Sequence, residues 1–311
     1  MAKCLALLIV MLATAFATPV GAEEKLRDDL VVEAEFARYS EFFGFGFGAL
    51  WVMSGPKLIR ITAADNTVGE TLIEGATGQV RRVAFGEDAI WLADAGSQRM
   101  YKVDPDTGTV LLDFYVDIYG HIESTIAVGS GSVWIVTVND RLLERFDVAT
   151  GEAQESIPLP SAASAVAFAF GAVWVVASQK GELYRVEPET KAITDTIAVL
   201  PVPRALTAGE GSIWVLSEDN AVQRIDPETR RVIAAIGTQR KGWGDLDVGG
   251  GYVWFSLPGV FAQIDPETNA VVGMFSAQGT GLSSEGHSLR YGGGSLWLGG
   301  MPLRRILPPR P

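Results

Sequence analysis

Histidine is the side chain best suited to proton transfer near neutral pH, and the chain has two of them, His121 and His287. Acidic side chains that could work beside them are Glu285, Glu123, Glu218, Asp94 and Glu41. Arg81 and Arg204 are cations that could fork onto a carboxylate or phosphate. Trp243 stands in the polar stretch QRKGWGDLD, where an aromatic often marks a contact site. A plainer reading exists for each: loop-packing histidines, solvated loop ends that pair with one another, and a tryptophan clamping its own loop. Other chemistries are absent from the sequence. Its one cysteine is Cys4, so the chain beyond it has no thiol nucleophile, no thiolate metal site and no disulfide. There is no Gly-x-Ser-x-Gly elbow. The Gly-rich stretches GSGS, GEGS and GGGY precede no helix and cradle no phosphate. Asp104–Gly108 lacks the ligand spacing of a calcium loop.

What positions these residues is a repeat. A segment of the form apolar-x-Gly-x-Gly-small-aliphatic-Trp-apolar recurs seven times, on Trp51, Trp91, Trp134, Trp174, Trp214, Trp254 and Trp297, at spacings of 40, 43, 40, 40, 40 and 43 residues. About a dozen residues after each Trp comes a turn motif: KVDPDTG, RFDVATG, RVEPETK, RIDPETR and QIDPETN, with a degenerate RITAADN in the first repeat. No stretch sustains a 3.6-residue period, and Gly or Pro interrupts every ten residues or so, which argues for strands. A repeat of this length reads as one propeller blade. Strand A precedes the glycines, and Gly-x-Gly makes the A–B turn where positive φ is needed. Strand B carries the Trp, and strand C ends at Asp-Pro. There Asp caps the turn, Pro presets φ and Gly or Asn takes the left-handed position before strand D. Strand B is apolar on both faces, so its sheet is sandwiched between neighbours, with the Trp filling the gap.

The expected fold is all-β, a seven-bladed propeller of four-stranded antiparallel blades. The last repeat stops after strand C, while 30–36 (LVVEAEF) has a strand D pattern and no blade of its own. It is expected to complete blade seven and close the ring. The D–A loops and the ends of the B strands then share one face. Ten residues before each Trp, at the mouth of strand A, stand Glu41, Arg81, Ser124, Ser164, Arg204, Gly244 and His287. Four residues after it stand Gly55, Ala95, Val138, Ser178, Glu218, Pro258 and Met301. Both histidines fall in the two longer D–A loops.

Residues 1–22 read as a secretory leader. Lys3 supplies the positive start, and Cys4–Ala17 is an apolar run too short to span a bilayer comfortably. Val20 and Ala22 then precede a cleavage site before Glu23. Residues 23–311 form one domain, large enough to be held by its core alone. The formal charge of −12 sets the protein against nucleic acid, whose phosphates it would repel. The expected location is periplasmic or secreted, as a monomer with no membrane insertion once the leader is removed.

At the Trp and Asp-Pro-x-Thr motifs the sequence resembles the bacterial propellers of the streptogramin (virginiamycin B) lyase group, and equally the YVTN-repeat propellers. The resemblance covers essentially all of 23–311 and rests on scaffold residues. In the lyase group a Glu-x-His stands at the mouth of the last blade, and Glu285-Gly286-His287 matches it. The resemblance implies His287 as general base and Glu285 as a possible Mg²⁺ ligand. The group's second Mg²⁺-binding Glu follows the Trp by four, where this sequence has Met301. The group's substrate-contacting His in the preceding D–A loop is missing from RKGWGDLD.

Two functions follow as expectations. The first is a binding module holding a small ligand or an envelope protein at the D–A face, through Arg81, Arg204, Glu41, Glu123, Glu218, Asp94, His121 and Trp243. The second is a lyase or hydrolase with His287 as base and Glu285 orienting it or holding a divalent ion. In that reading Arg81 or Arg204 stabilises a developing enolate or oxyanion, and Glu218 or Asp94 substitutes for the missing metal ligand.

Overall fold

The computed structural model describes residues 26–27, 30–37, 42–117, 126–137, 141–219, 221–276 and 288–309, with backbone alone at 80–82 and 137. The leader expected at 1–22 lies outside them. Seven four-stranded antiparallel sheets form the blades. Strand A of blades one to seven is Phe43–Gly46, Val80–Gly86, Ile126–Gly129, Ala165–Ala169, Pro203–Gly209, Leu246–Gly249 and Leu289–Gly292. Strand B is Ala49–Ser54, Ala89–Asp94, Ser132–Thr137, Ala172–Ala177, Ser212–Ser217, Tyr252–Leu257 and Ser295–Leu298. Strand C is Lys57–Thr62, Arg99–Val103, Leu142–Asp147, Glu182–Glu187, Ala221–Asp226, Val260–Asp265 and Leu303–Leu307. Strand D is Val68–Leu72, Val110–Tyr115, Ile157–Pro158, Ala192–Ala198, Arg231–Gly237 and Ala270–Ser276, and in blade seven Val31–Phe36. That last strand lies antiparallel on Leu303–Leu307, with Phe36 opposite Leu303 and Val31 opposite Leu307. Arg304–Glu35 (2.7 Å) and Arg305–Glu33 (3.2 Å) ion pairs cross the same pair of strands.

The seven repeat tryptophans are at most 3% exposed, and each uses its one polar atom in the same way. The indole Nε1–H donates to the carbonyl of the residue that ends strand A, from Trp51 to Gly46 at 2.9 Å through Trp297 to Gly292 at 3.1 Å. A buried indole N–H left unpaired would be costly, so this bond fixes the ring's orientation in every blade.

The Gly-x-Gly segment divides its labour differently from the expected turn. Its first glycine ends strand A and gives clearance. A Cβ on Gly46, Gly129, Gly249 or Gly292 would come within 2.0–2.4 Å of the next blade's Phe85, Phe168, Tyr291 or Phe45. The turn is the two residues that follow, both left-handed, as at Phe47 (φ 52°) and Gly48 (φ 70°). This is the type I′ geometry that matches the twist of a tight hairpin. The C–D turns follow the expected chemistry. Asp104 Oδ1 accepts from Asp106 N (2.9 Å), Thr107 N (2.7 Å) and Thr107 Oγ1 (2.9 Å), and Asp226 repeats the pattern with Glu228 and Thr229. The left-handed position accepts more than Gly or Asn: Lys191 (φ 56°) and Arg230 (φ 60°) also occupy it.

A second repeated device joins the blades. Opposite the Trp, strand C places a cation whose head lies over the indole, at 5.3 Å for Arg60, 5.3 Å for Lys102, 4.9 Å for Arg145, 5.2 Å for Arg224 and 5.3 Å for Arg305. Each then reaches the next blade's C–D turn, as Lys102 Nζ does to Val148 O (2.9 Å) and Arg305 Nη1 to Ala63 O (2.6 Å). Blade four departs from this, with Arg185 turned to Thr194 (2.8 Å) and Glu187 (3.3 Å). Blade six has Gln263 opposite Trp254. Its neighbour, blade seven, takes strand D from elsewhere in the chain and so offers no C–D turn to cap.

Candidate functional site

The inner strands enclose a space of about 220 Å³ among blades two to five, lined by side chains such as Val83, Phe85, Val128, Phe168 and Leu206. That is smaller than the ligand pockets of about 300 Å³ and more that hold drug-sized molecules.

In blade five the mouth of strand A and the end of strand B meet. Glu218 N donates to Val202 O (3.1 Å), which brings Glu218 against Arg204. Arg204 Nε donates to Glu218 Oε1 at 2.5 Å, with both side chains about a quarter exposed. The loop entering blade six folds back over this pair. Trp243 is 55% exposed, and Arg204 Cζ lies 4.3 Å from its ring centroid. The loop can come so close because of two glycines. A Cβ on Gly244 would sit 1.8 Å from Ser256 O, and one on Gly242 2.9 Å from the Pro258 ring. Lys241 Nζ pins the loop to Asp219 at 3.1 Å. Arg204 therefore stacks under an exposed indole and is steered by Glu218. Its Nη groups have no partner among the described residues and can receive a carboxylate or phosphate oxygen.

The neighbouring mouth, in blade four, is built from hydroxyls. Ser178 Oγ donates to Ser164 Oγ, which also lies 3.4 Å from Pro203 O. In blade two Asp94 is fully buried, and its carboxylate accepts Thr77 N (2.5 Å), Thr77 Oγ1 (2.6 Å) and Gly96 N (3.0 Å). It clamps its own D–A loop and has no exposed surface to offer a ligand, so it drops out of the mouth's exposed polar set. Arg81 lies on strand A of blade two, where the backbone alone is described. Glu41, His121, Glu123, Glu285 and His287 lie outside the described residues. Of the sequence-derived candidates, the structure brings together Arg204, Glu218 and Trp243.

A metal of the lyase kind needs oxygen ligands. Met301, at the position where the lyase group has its second acid, is 74% exposed and presents a thioether. Asp94 is spent on its loop, and Glu218 is tied to Arg204. Among the described residues no three His, Cys, Asp or Glu side chains converge as a metal site.

Sequence reasoning missed a charged group between the inner strands of blades six and seven. The residue paired with each Trp on strand A is Gly44, Ala84, Ala127, Ala167, Thr207, Asp247 and Arg290 in turn. Two neighbouring charges replace what is otherwise Gly, Ala or Thr. Asp245 Oδ2 accepts Leu289 N (3.1 Å) and pairs with Arg290 Nη1, and Asp247 Oδ2 accepts Tyr291 N (2.7 Å). The two carboxylates thus satisfy the inner edge of blade seven, across the seam that lacks the strand C cation. Burial pushes the Asp247 carboxyl up to about 6. Arg290 and the Tyr291 N–H pull it down, and Asp245 adds to the rise. The visible signal was the −7 position itself, where Asp and Arg break a row of small residues.

No family model matches the chain, and no curated protein matches it. Among solved structures, a catalytically inactive variant of virginiamycin B lyase from Staphylococcus aureus, solved with quinupristin, is similar over 90% of this chain and 98% of its own. The TM-score is 0.72 and the identity 14%. The chain has the same seven-bladed propeller fold. Altogether 1639 solved chains match it, so the architecture by itself does not select one activity.

Proposed function

We propose that this propeller is an exported binding module that captures its ligand at the D–A mouth of blades five and six. The observation that carries the reading is the stack of Trp243 on Arg204, with Glu218 behind it. An exposed aromatic held rigidly by its neighbours, beside a guanidinium with unused donors, is the make-up of a binding hot spot. Trp243 offers one open face to an apolar or aromatic group, and the Arg204 Nη groups offer a fork to an anionic one. A small molecule or peptide carrying both features fits this arrangement.

A second reading, a lyase or hydrolase, is favoured by one specific match: Glu285-Gly286-His287 on a fold shared with virginiamycin B lyase. In that case His287 is the base and Arg204 the electrostatic partner. The two readings separate in one experiment. The protein from Glu23 onward is screened by thermal shift against aromatic carboxylates and acidic peptides, with Trp243→Ala, Arg204→Ala and His287→Ala alongside. Under the binding reading a hit raises Tm by linkage; Trp243→Ala and Arg204→Ala lose the shift, and His287→Ala keeps it. A shift that requires Mg²⁺, or that disappears in His287→Ala alone, sinks the binding reading and supports the enzyme.

A further inference from the structure

The face opposite the D–A mouth has a different character. Six cations, Lys57, Arg99, Arg141, Lys180, Arg204 and Lys241, lie at the D–A end of their blades, four of them paired there with Glu70, Asp113, Glu218 and Asp219. At the other end the C–D turns open on Asp104, Asp147, Glu187, Asp226 and Asp265. The aspartates among them are held below the usual carboxylate range by the turn's own N–H donors. These acids have a structural role in the turn. Two positions later four of the same turns add Asp106, Glu189, Glu228 and Glu267, all exposed, whose carboxylates have no partner among the described residues. The cations within these turns, Lys191 and Arg230, are drawn aside to Glu155 (2.8 Å) and Asp195 (3.5 Å).

Two aromatics project into these acidic surroundings. At the first position of the A–B turn, blades two, three and five to seven have Glu87, Ser130, Glu210, Gly250 and Gly293. Blades one and four have Phe47 and Phe170, 42% and 48% exposed. Both hold φ at 52°, a conformation that Asn or Gly adopts at less cost. Phe47 touches Phe85 edge-on, with centroids 6.1 Å apart. A large exposed apolar side chain at a position where small or polar residues otherwise serve indicates contact with something outside the chain.

We propose that this second face, on the side of the ring away from Trp243, docks a cationic polypeptide segment, with Phe47 and Phe170 as apolar anchors and the free turn carboxylates as its charge partners. Charge decides the occupant. Nucleic acid and anionic lipid are repelled by the ring of ionised carboxylates, while a Lys- or Arg-rich segment with interspersed apolar residues matches both features. The ion pairs sit at the rim and steer association, and the aromatics set affinity.

The test is fluorescence anisotropy of a labelled Lys-Lys-Leu repeat peptide beside a Lys-Lys-Ser repeat of equal length and charge. Charge alone treats the two alike. We expect the leucine peptide to bind about tenfold more tightly, with an affinity that falls as salt rises. Phe47→Asn with Phe170→Asn should remove that preference. Asn is at home at positive φ, so these variants should melt no lower than the parent by more than the loss of the Phe85 contact, and Phe170→Asn alone removes one anchor without touching it. Asp106→Asn, Glu189→Gln, Glu228→Gln and Glu267→Gln together should weaken both peptides. Trp243→Ala should change neither. The proposal is overturned if neither peptide binds, if both bind equally, if the Asn variants keep the preference, or if Trp243→Ala abolishes binding.

Discussion

Replacing Asp247 with asparagine should flatten a pH dependence that the wild-type protein carries in a narrow window. The carboxyl sits on the inner strand of blade six and is pushed up from 3.8 to about 6, chiefly by burial. A raised carboxylate pKa means the fold prefers the protonated form. The stability it contributes is complete below the unfolded value and is lost as pH rises through about 6. The difference of two units corresponds to about 3 kcal/mol. The C–D turn aspartates are shifted the other way, so their contribution is lost only as pH falls below the usual carboxylate range. The two effects therefore occupy separate windows. The substituted amide would still offer a side-chain oxygen to Tyr291 N but would never ionise. The assay is Tm against pH for both proteins, read as the difference so that all other titrations cancel. The curves should coincide near pH 3 and separate through pH 4–6, with Asp247→Asn higher by roughly 5 °C at pH 7.5. Parallel curves over that range would refute the claim that the fold holds Asp247 at the cost of its charge.

Other consequences follow from the seams between blades. Gly292→Ala places a Cβ 2.0 Å from the Phe45 ring and should cost about 1–3 kcal/mol in urea unfolding, through overpacking between blades seven and one. Arg145→Met removes a stacked guanidinium, its bond to Ser132 Oγ (2.7 Å) and its bond to Pro188 O (3.2 Å), and should cost about 2 kcal/mol. Gln263→Arg should give no gain, because blade seven has no C–D turn for the new cation to cap. A stabilised Gln263→Arg protein would show that the strand C cations act through the indole alone.

Much of the scaffold was legible because its signals are local. The Trp spacing gives the blade length, and Asp-x-x-Thr writes the C–D turn in four consecutive residues. What was missed depends on neighbouring blades. Lys102, Arg145 and Arg224 stand two positions before the turn aspartate of their motif copies, yet their role appears only when the next blade's turn carbonyl is placed beside them. The first glycine of Gly-x-Gly reads as a turn residue in one blade and as clearance for Phe45, Phe85, Phe168 or Tyr291 once two blades are packed. At the site, Arg204 and Glu218 are adjacent because a ten-residue step back from Trp214 and a four-residue step forward both end at the D–A mouth. Trp243 joins them through a loop whose path is set by Gly242 and Gly244, which periodicity does not reveal. Asp94 looked equally available in sequence, and its capture by Thr77 and Gly96 is a matter of loop closure.

The most direct measurement of the central claim uses the tryptophans themselves. Seven are buried and Trp243 is exposed, so a neutral collisional quencher such as acrylamide reads Trp243 almost alone. The quenchable fraction should be present in the wild-type protein and absent in Trp243→Ala. A molecule that raises Tm should also shield it, in parallel with its binding curve. A molecule that raises Tm while Trp243 stays fully quenchable would place the ligand elsewhere and contradict a binding site at the D–A mouth.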